Sequence, residues 1–423
     1  MIRHALAGTL AVAVLLLTTP YPSALPQDVL VVDVMGGAPF QQIQQAVNAA
    51  QEGDVVLVKS GAYQPVSILG QSVDVTADLD ANVIIIGDLV VRNLAPEQRV
   101  TLSGIDVVQI GGERALELTA NQGQVWIQDS EFSGAMLGDF DTGDGARVTD
   151  CPSVVFSGCI FRGSNDASPV GLSAGRGLVL RNSDVFVYDS EILGGNGFDV
   201  ATGPQPSTDG GTALAVEGGL LFLSGSTLLG GRGGLGPPEN PTAATPCGDG
   251  GAGGCGIQLG VDDPVVHAVD TEVMGGAGGA ALSPSCVPGM PGQALLVQSG
   301  QYTLLPGLAR VLTIPQPTPE NGVSSIIVQG QQGDFAWLAV SITPVTAYVP
   351  AQGGSNLLLD HMLLVPLGQL DAHGKLTVPL TLMPFNDPSR DAWALYFQLC
   401  VFNLQQEFFL GGGQWALQLD EQI

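Results

Sequence analysis

The chain is short of positive charge. Its 423 residues hold 13 lysines and arginines against 40 acids, a net charge of −27, and the lysines are two, Lys59 and Lys375. Nucleic acid and other polyanions are held by clustered cations that displace counterions, so this balance excludes that class of partner. Neither lysine sits in a glycine-rich loop that cradles phosphate. Histidine is as scarce: none lies between residues 5 and 266. Beyond residue 24 no stretch approaches the ~18 uninterrupted apolar residues that span a bilayer. The six cysteines include no Cys-x-x-Cys metal site.

What the chain has instead is a repeat. Aligning VWIQDSEFSG (125–134) on its final glycine brings Gly134, Gly163, Gly194, Gly230 and Gly275 into register. Val125, Val154, Val185, Leu221 and Val266 then form one apolar column; Ile127, Phe156, Val187, Leu223 and Ala268 form a second. Phe132, Phe161, Ile192, Leu228 and Val273 form a third. A small residue recurs between the last two as Ser130, Cys159, Ser190, Ser226 and Thr271, and Val100, Leu102, Ile105 and Val107 make a weaker earlier copy. Alternation at 125 and 127 means strand, whereas the five-residue step to Phe132 changes parity, so the chain must bend at Asp129–Ser130 to keep both side chains inside. A further short strand precedes each copy, as in 146–149, 178–181 and 213–216. Units that cannot bury an apolar face alone must stack, which predicts a parallel β-solenoid of about six turns.

On these columns the chain resembles the right-handed parallel β-helix proteins of the pectin-lyase-like superfamily. The resemblance covers roughly residues 28–305 and specifies fold better than activity, since that superfamily holds lyases, hydrolases, esterases, adhesins and inert surface proteins. The stretch 39–63, with Ile43, Ala46, Val47 and Ala50 on one helical face, is similar to the N-terminal cap of pectinesterase-like members. Their Gly-x-Tyr-x-Glu motif is matched at Gly61 and Tyr63, but Pro65 stands where the glutamate belongs.

Residues 1–24 read as a secretory signal, with Arg3 before an apolar run from Ala5 to Leu17 and a small residue, Ala24, at the cleavage point. The mature protein is therefore expected outside the cell or on its surface. Residues 25–305 form the predicted solenoid with its capping helix. After a Pro-rich boundary at 314–322, strands at turn-punctuated spacing predict a β-sandwich over 306–423, similar to the terminal modules of secreted bacterial proteins.

Three features of the predicted solenoid could carry chemistry, and its cysteines and insertions are read beside them. Asp139, Asp141 and Asp144 in GDFDTGDG resemble a calcium loop, although their spacing is one residue off and no glutamate follows; a solvated acidic turn is the alternative. The side chains between the inward columns, Trp126, Phe186, Phe222 and His267 with Tyr188 nearby, form an outward row on which sugar rings would stack, unless other parts of the chain cover it. Arg147, Arg162, Arg176 and Arg181 gather near the acidic loop, and lyases of the superfamily use arginine beside calcium-binding aspartates. Cys247 and Cys286 lie in neighbouring loops and are expected to pair. The glycine-rich insertions at 135–144, 164–175, 195–210, 231–253 and 276–291 build one face, read either as a binding surface or as tolerated drift. The functional expectation is a non-catalytic, structural or carbohydrate-interacting protein with extracellular polysaccharide or cell-surface components as partners; the alternative is a polysaccharide lyase or glycoside hydrolase.

Overall fold

The computed structural model describes residues 12–13, 28–111, 114–135, 143–165, 174–200, 207–236, 248–282, 286–319, 323–352, 354–357, 363–381, 391–405 and 407–419. Two compact units emerge, Leu30–Leu308 and Ala309–Ile423, the second grouped with Met1–Val29. Val12–Ala13 pairs in parallel with Leu380–Thr381 in that second unit.

The first unit is a right-handed parallel β-helix with sheets of ten, eight and eight strands. One coil gives a strand to each: Gln124–Gln128 to the first sheet, Glu131–Ser133 to the second and Asp144–Thr149 to the third. The predicted columns are rungs. Val125 stacks on Val154, then Val185, Leu221 and Val266, and Phe132 lies under Phe161 with the rings stacked at 5.6 Å. Eight complete coils appear among the described residues, more than the six expected. The two extra ones, with strands Asp54–Val58 to Val66–Leu69 and Val73–Ala77 to Leu89–Arg92, come first. Neither carries the insertion on which the repeat was recognised; the first has Pro65 at the place of the terminal glycine, whereas the second keeps it as Gly87.

The parity change is made by one left-handed residue. Asp129, Gly158, Asp189, Gly225 and Asp270 occupy this corner in successive coils with φ between 46° and 63°, and aspartate and glycine are the residues that tolerate that region. The small residue that follows is a hydrogen-bonding post. Ser130 Oγ donates to the Gln128 carbonyl (2.8 Å) and accepts the Ile105 N–H (3.1 Å); Ser190 Oγ repeats this with Tyr188 and Cys159 at 2.7 and 3.1 Å. The helix Ile43–Ala49 buries Ile43, Ala46 and Val47, as its pattern predicts.

The insertions between the second and third sheets are not drift. Their outgoing legs (194–200, 230–236, 275–281) bond coil to coil every third residue: the Gly230, Gly233 and Gly236 N–H groups donate to the carbonyls of Met274, Ala277 and Ala280 at 2.9, 2.9 and 3.0 Å. Returning legs lace them together, Gly211 to Gly195, Gly231 to Gly211, Gly254 to Gly231 and Gly276 to Gly254, each at 2.8 Å. A three-residue period is that of the polyproline II helix. Packed this closely it admits only glycine at the inner positions, since a Cβ on Gly195, Gly211, Gly231 or Gly254 would overlap a carbonyl oxygen of the adjoining leg. Every third residue faces out, and its N–H is taken by a side chain of the coil before: Arg232 by Asn196, Leu235 by Asp199 and Ala252 by Asp209, at 3.0, 2.8 and 2.7 Å.

The second unit is the expected sandwich. Antiparallel Val311–Thr313, Val323–Gln329 and Lys375–Thr381 form one sheet, and Phe335–Ser341, Leu363–Gln369, Ala392–Phe402 and Phe408–Leu419 dominate the other. They enclose Ile326, Val328, Leu338, Phe397 and Leu399. Arg310 and Asp334 form a buried ion pair at 3.0 Å, with the guanidinium 4.0 Å from the Phe409 ring.

Candidate functional site

The outer face of the third sheet is where charge collects. Register stacks Glu117, Arg147, Val179, Ala215 and Gln258 in one outward column and Arg92, Thr119, Thr149, Arg181 and Glu217 in the next. Arginines and acids alternate in pairs: Arg92 and Glu117 at 2.7 Å, Arg114 and Glu117 at 3.2 Å, Arg181 and Glu217 at 2.7 Å. Of the four clustered arginines, Arg147, Arg176 and Arg181 meet on this face. Arg162 does not; it sits on the second sheet, paired with Glu131 at 2.8 Å.

Where this face meets the returning glycine legs, a cleft of about 410 Å³ opens, lined by Asp144, Arg147, Arg176, Asp209, Thr212 and Gln258. A smaller hollow shares Arg176 and Gln258 and continues the groove past Glu217 to Gln298. Asp144 anchors the cleft. One of its oxygens accepts Arg147 Nη2 at 2.7 Å, while Arg176 donates from its backbone N–H and Nε at 3.2 Å and from Nη2 at 3.3 Å. The carboxylate is almost fully buried and saturated with donors. It holds two guanidinium groups at the cleft, so the site offers hydrogen-bond donors to an oxygen-rich ligand. Sequence reasoning missed Asp209, Thr212 and Gln258; the signal for Gln258 was its outward place in the short strand after the fourth insertion.

The calcium reading fares differently. Asp139 and Asp141 lie outside the described residues, and Asp144 is unsuited to a cation because two guanidinium groups already stand against it. Among the described residues no three His, Cys, Asp or Glu side chains are grouped to hold a metal. The outward aromatic row is covered rather than open: Trp126, Phe186, Tyr188 and Phe222 are at most 3% exposed, and only His267 is partly accessible. Burial lowers the His267 pKa below the ordinary imidazole value. Cys151, Cys159, Cys255 and Cys400 are free thiols. Burial pushes Cys159 and Cys400 up to about 12, which keeps both protonated and unreactive. Cys286 is disulfide-bonded, and Cys247 lies outside the described residues.

No protein-family model matches the sequence, and no curated protein matches it. Among solved structures, similarity is found to the pectin methylesterase of Aspergillus niger at 11% identity, covering 68% of this chain and 93% of the other with a TM-score of 0.32. The enzymatically active domain of bacteriophage CBA120 tailspike protein 2 is similar at 11% identity over 92% of this chain and 77% of its own, TM-score 0.24. The chain is a parallel β-helix. That conclusion rests on its own strand ladders.

Proposed function

We propose that the protein is an exported, non-catalytic β-helix that binds carbohydrate along the third-sheet groove. The observation that carries this reading is the pair of arginines fixed by Asp144 at the edge of a polar cleft of about 410 Å³. Guanidinium groups, a glutamine, a threonine and glycine backbone suit the hydroxyl and carboxyl oxygens of a saccharide. The arginines commit Asp144 to positioning, and this favours binding over acid–base chemistry. Calcium, if it takes part, is held by Asp139 and Asp141 without Asp144, and Cys247 is the mate of Cys286, a pairing that non-reducing peptide mapping checks.

The same convergence of arginine and carboxylate supports a polysaccharide lyase or hydrolase as the second reading. One experiment separates the two: the mature protein is incubated with neutral and acidic polysaccharides, with and without calcium, and both retention and reducing-end release are scored. Retention that falls in Arg176→Ala, with no release of ends, is the expected result. Release of reducing ends establishes the enzyme instead, and absence of retention on every polysaccharide refutes the binding reading.

A further inference from the structure

The glycine layer ends at an edge whose two legs are treated differently. In each outgoing leg the first, fourth and seventh N–H groups point to the next coil: Gly194, Gly197 and Val200 reach Leu229, Arg232 and Leu235, and Gly230, Gly233 and Gly236 reach Met274, Ala277 and Ala280. Among the described residues the last outgoing leg has no coil after it. Its equivalent groups, Gly275, Gly278 and Ala281, meet no acceptor among the described residues and are partly exposed. They form a row of donors about 9 Å apart, three residues at the polyproline II rise.

The last returning leg faces the same problem and resolves it. Gly250 and Gly253 donate to Val287 and Met290, so the residues equivalent to them one coil later are Pro288 and Pro291, which have no N–H to leave unpaired. Proline on an open edge prevents pairing with another chain. One leg is blunted in this way while its neighbour keeps all three donors, with exposed Leu282, Val287 and Met290 nearby.

We infer that the edge formed by residues 275–281 is a docking site for a glycine-rich polypeptide strand of Gly-Gly-x repeats, which adds to the layer as its next leg. Polarity selects this occupant. The edge presents donors, so a second copy of the same edge, also presenting donors, does not satisfy it, whereas a parallel strand in the three-residue helix brings a carbonyl to each donor. Sterics select glycine, because Cβ atoms at the inner positions overlap carbonyl oxygens of the adjoining legs throughout the layer. The mode is strand addition, carried out on a polyproline II lattice in place of a β-sheet.

The test uses the full chain and a fluorescently labelled peptide of about four Gly-Gly-Asn repeats, with an Ala-Ala-Asn peptide of equal length beside it, read by anisotropy. Saturable binding of the glycine peptide alone is expected. Ala281→Pro removes one donor and weakens it about fivefold, the worth of one neutral hydrogen bond, while Ala281→Gly keeps the donor and the affinity. No binding of the glycine peptide at millimolar concentration overturns the inference. Equal binding of the alanine peptide, or unchanged affinity in an Ala281→Pro protein whose thermal melt matches the parent, overturns it as well.

Discussion

The solenoid interior and the glycine layer stack the same coils by opposite means. Inside the helix, rungs are held by side-chain volume: Phe132 lies on Phe161, and Phe156 meets Phe161 edge-on at 4.9 Å. In the layer side chains are excluded, and backbone hydrogen bonds of 2.7 to 3.0 Å carry the stacking between outgoing legs. An apolar core tolerates exchange of one hydrophobic residue for another of similar size. The layer tolerates no side chain at its inner positions, so glycine content that looks like low complexity is as constrained as a packed core.

The two regions should therefore fail in opposite directions. The largest loss is expected from truncation inside the helix: Phe161→Ala should cost about 3–5 kcal/mol in denaturant unfolding, as a fully buried aromatic replaced by a cavity. Its mirror image in the layer is enlargement. Gly231→Ala sets a methyl against the Gly195 carbonyl and should cost about 1–3 kcal/mol or more, as overpacking does. If Gly231→Ala is neutral, the distinction between the regions collapses.

Smaller effects should separate the two by pH. In the layer, the Arg232 guanidinium bonded to Asp199 holds that carboxyl below the usual range. The folded value is depressed, so its contribution is present above the ordinary carboxylate pKa and is lost as pH falls through the folded value. With half of the Asp199 side chain exposed, it is worth about 0.2–1 kcal/mol. In the corner of the helix, burial raises Asp129, so the sign reverses: stability declines as pH rises from the ordinary value through the folded one. Asp129→Asn, which keeps a residue tolerant of positive φ, should raise the melting temperature at neutral pH, whereas Asp199→Asn should lower it slightly. Melts of both variants at pH 4 and pH 7 check the two signs.

The legibility of these regions in the sequence differs for physical reasons. The helix interior was readable because each inward column is a local spacing, such as Val125, Ile127 and Phe132, and the parity change places the corner at Asp129–Ser130. The first two coils escaped because they carry no insertion, and the terminal glycine survives in the second alone, as Gly87. The layer was written plainly as GGRGGLG at 230–236, a three-residue period of its own, but glycine has no side chain whose pattern announces burial. The candidate cleft was legible only in part. Arg147, Arg176 and Asp144 are neighbours across 32 residues or fewer, whereas Gln258 joins them through ladder register that no local spacing reveals. The aromatic row was visible as a column, yet its own spacing does not say that Trp126, Phe186, Tyr188 and Phe222 are buried.

Amide hydrogen exchange on the native protein tests most directly whether the glycine insertions are a built lattice. The N–H groups of Gly211, Gly231, Gly254 and Gly276, which lace the legs, and those of Gly230 and Gly233, which bond coil to coil, should be protected to the same order as Val154 and Val185 in the helix, while Gly275, Gly278 and Ala281 exchange at exposed rates. Uniformly fast exchange across residues 194–200, 230–236 and 275–281 would contradict the account and return these segments to ordinary loops.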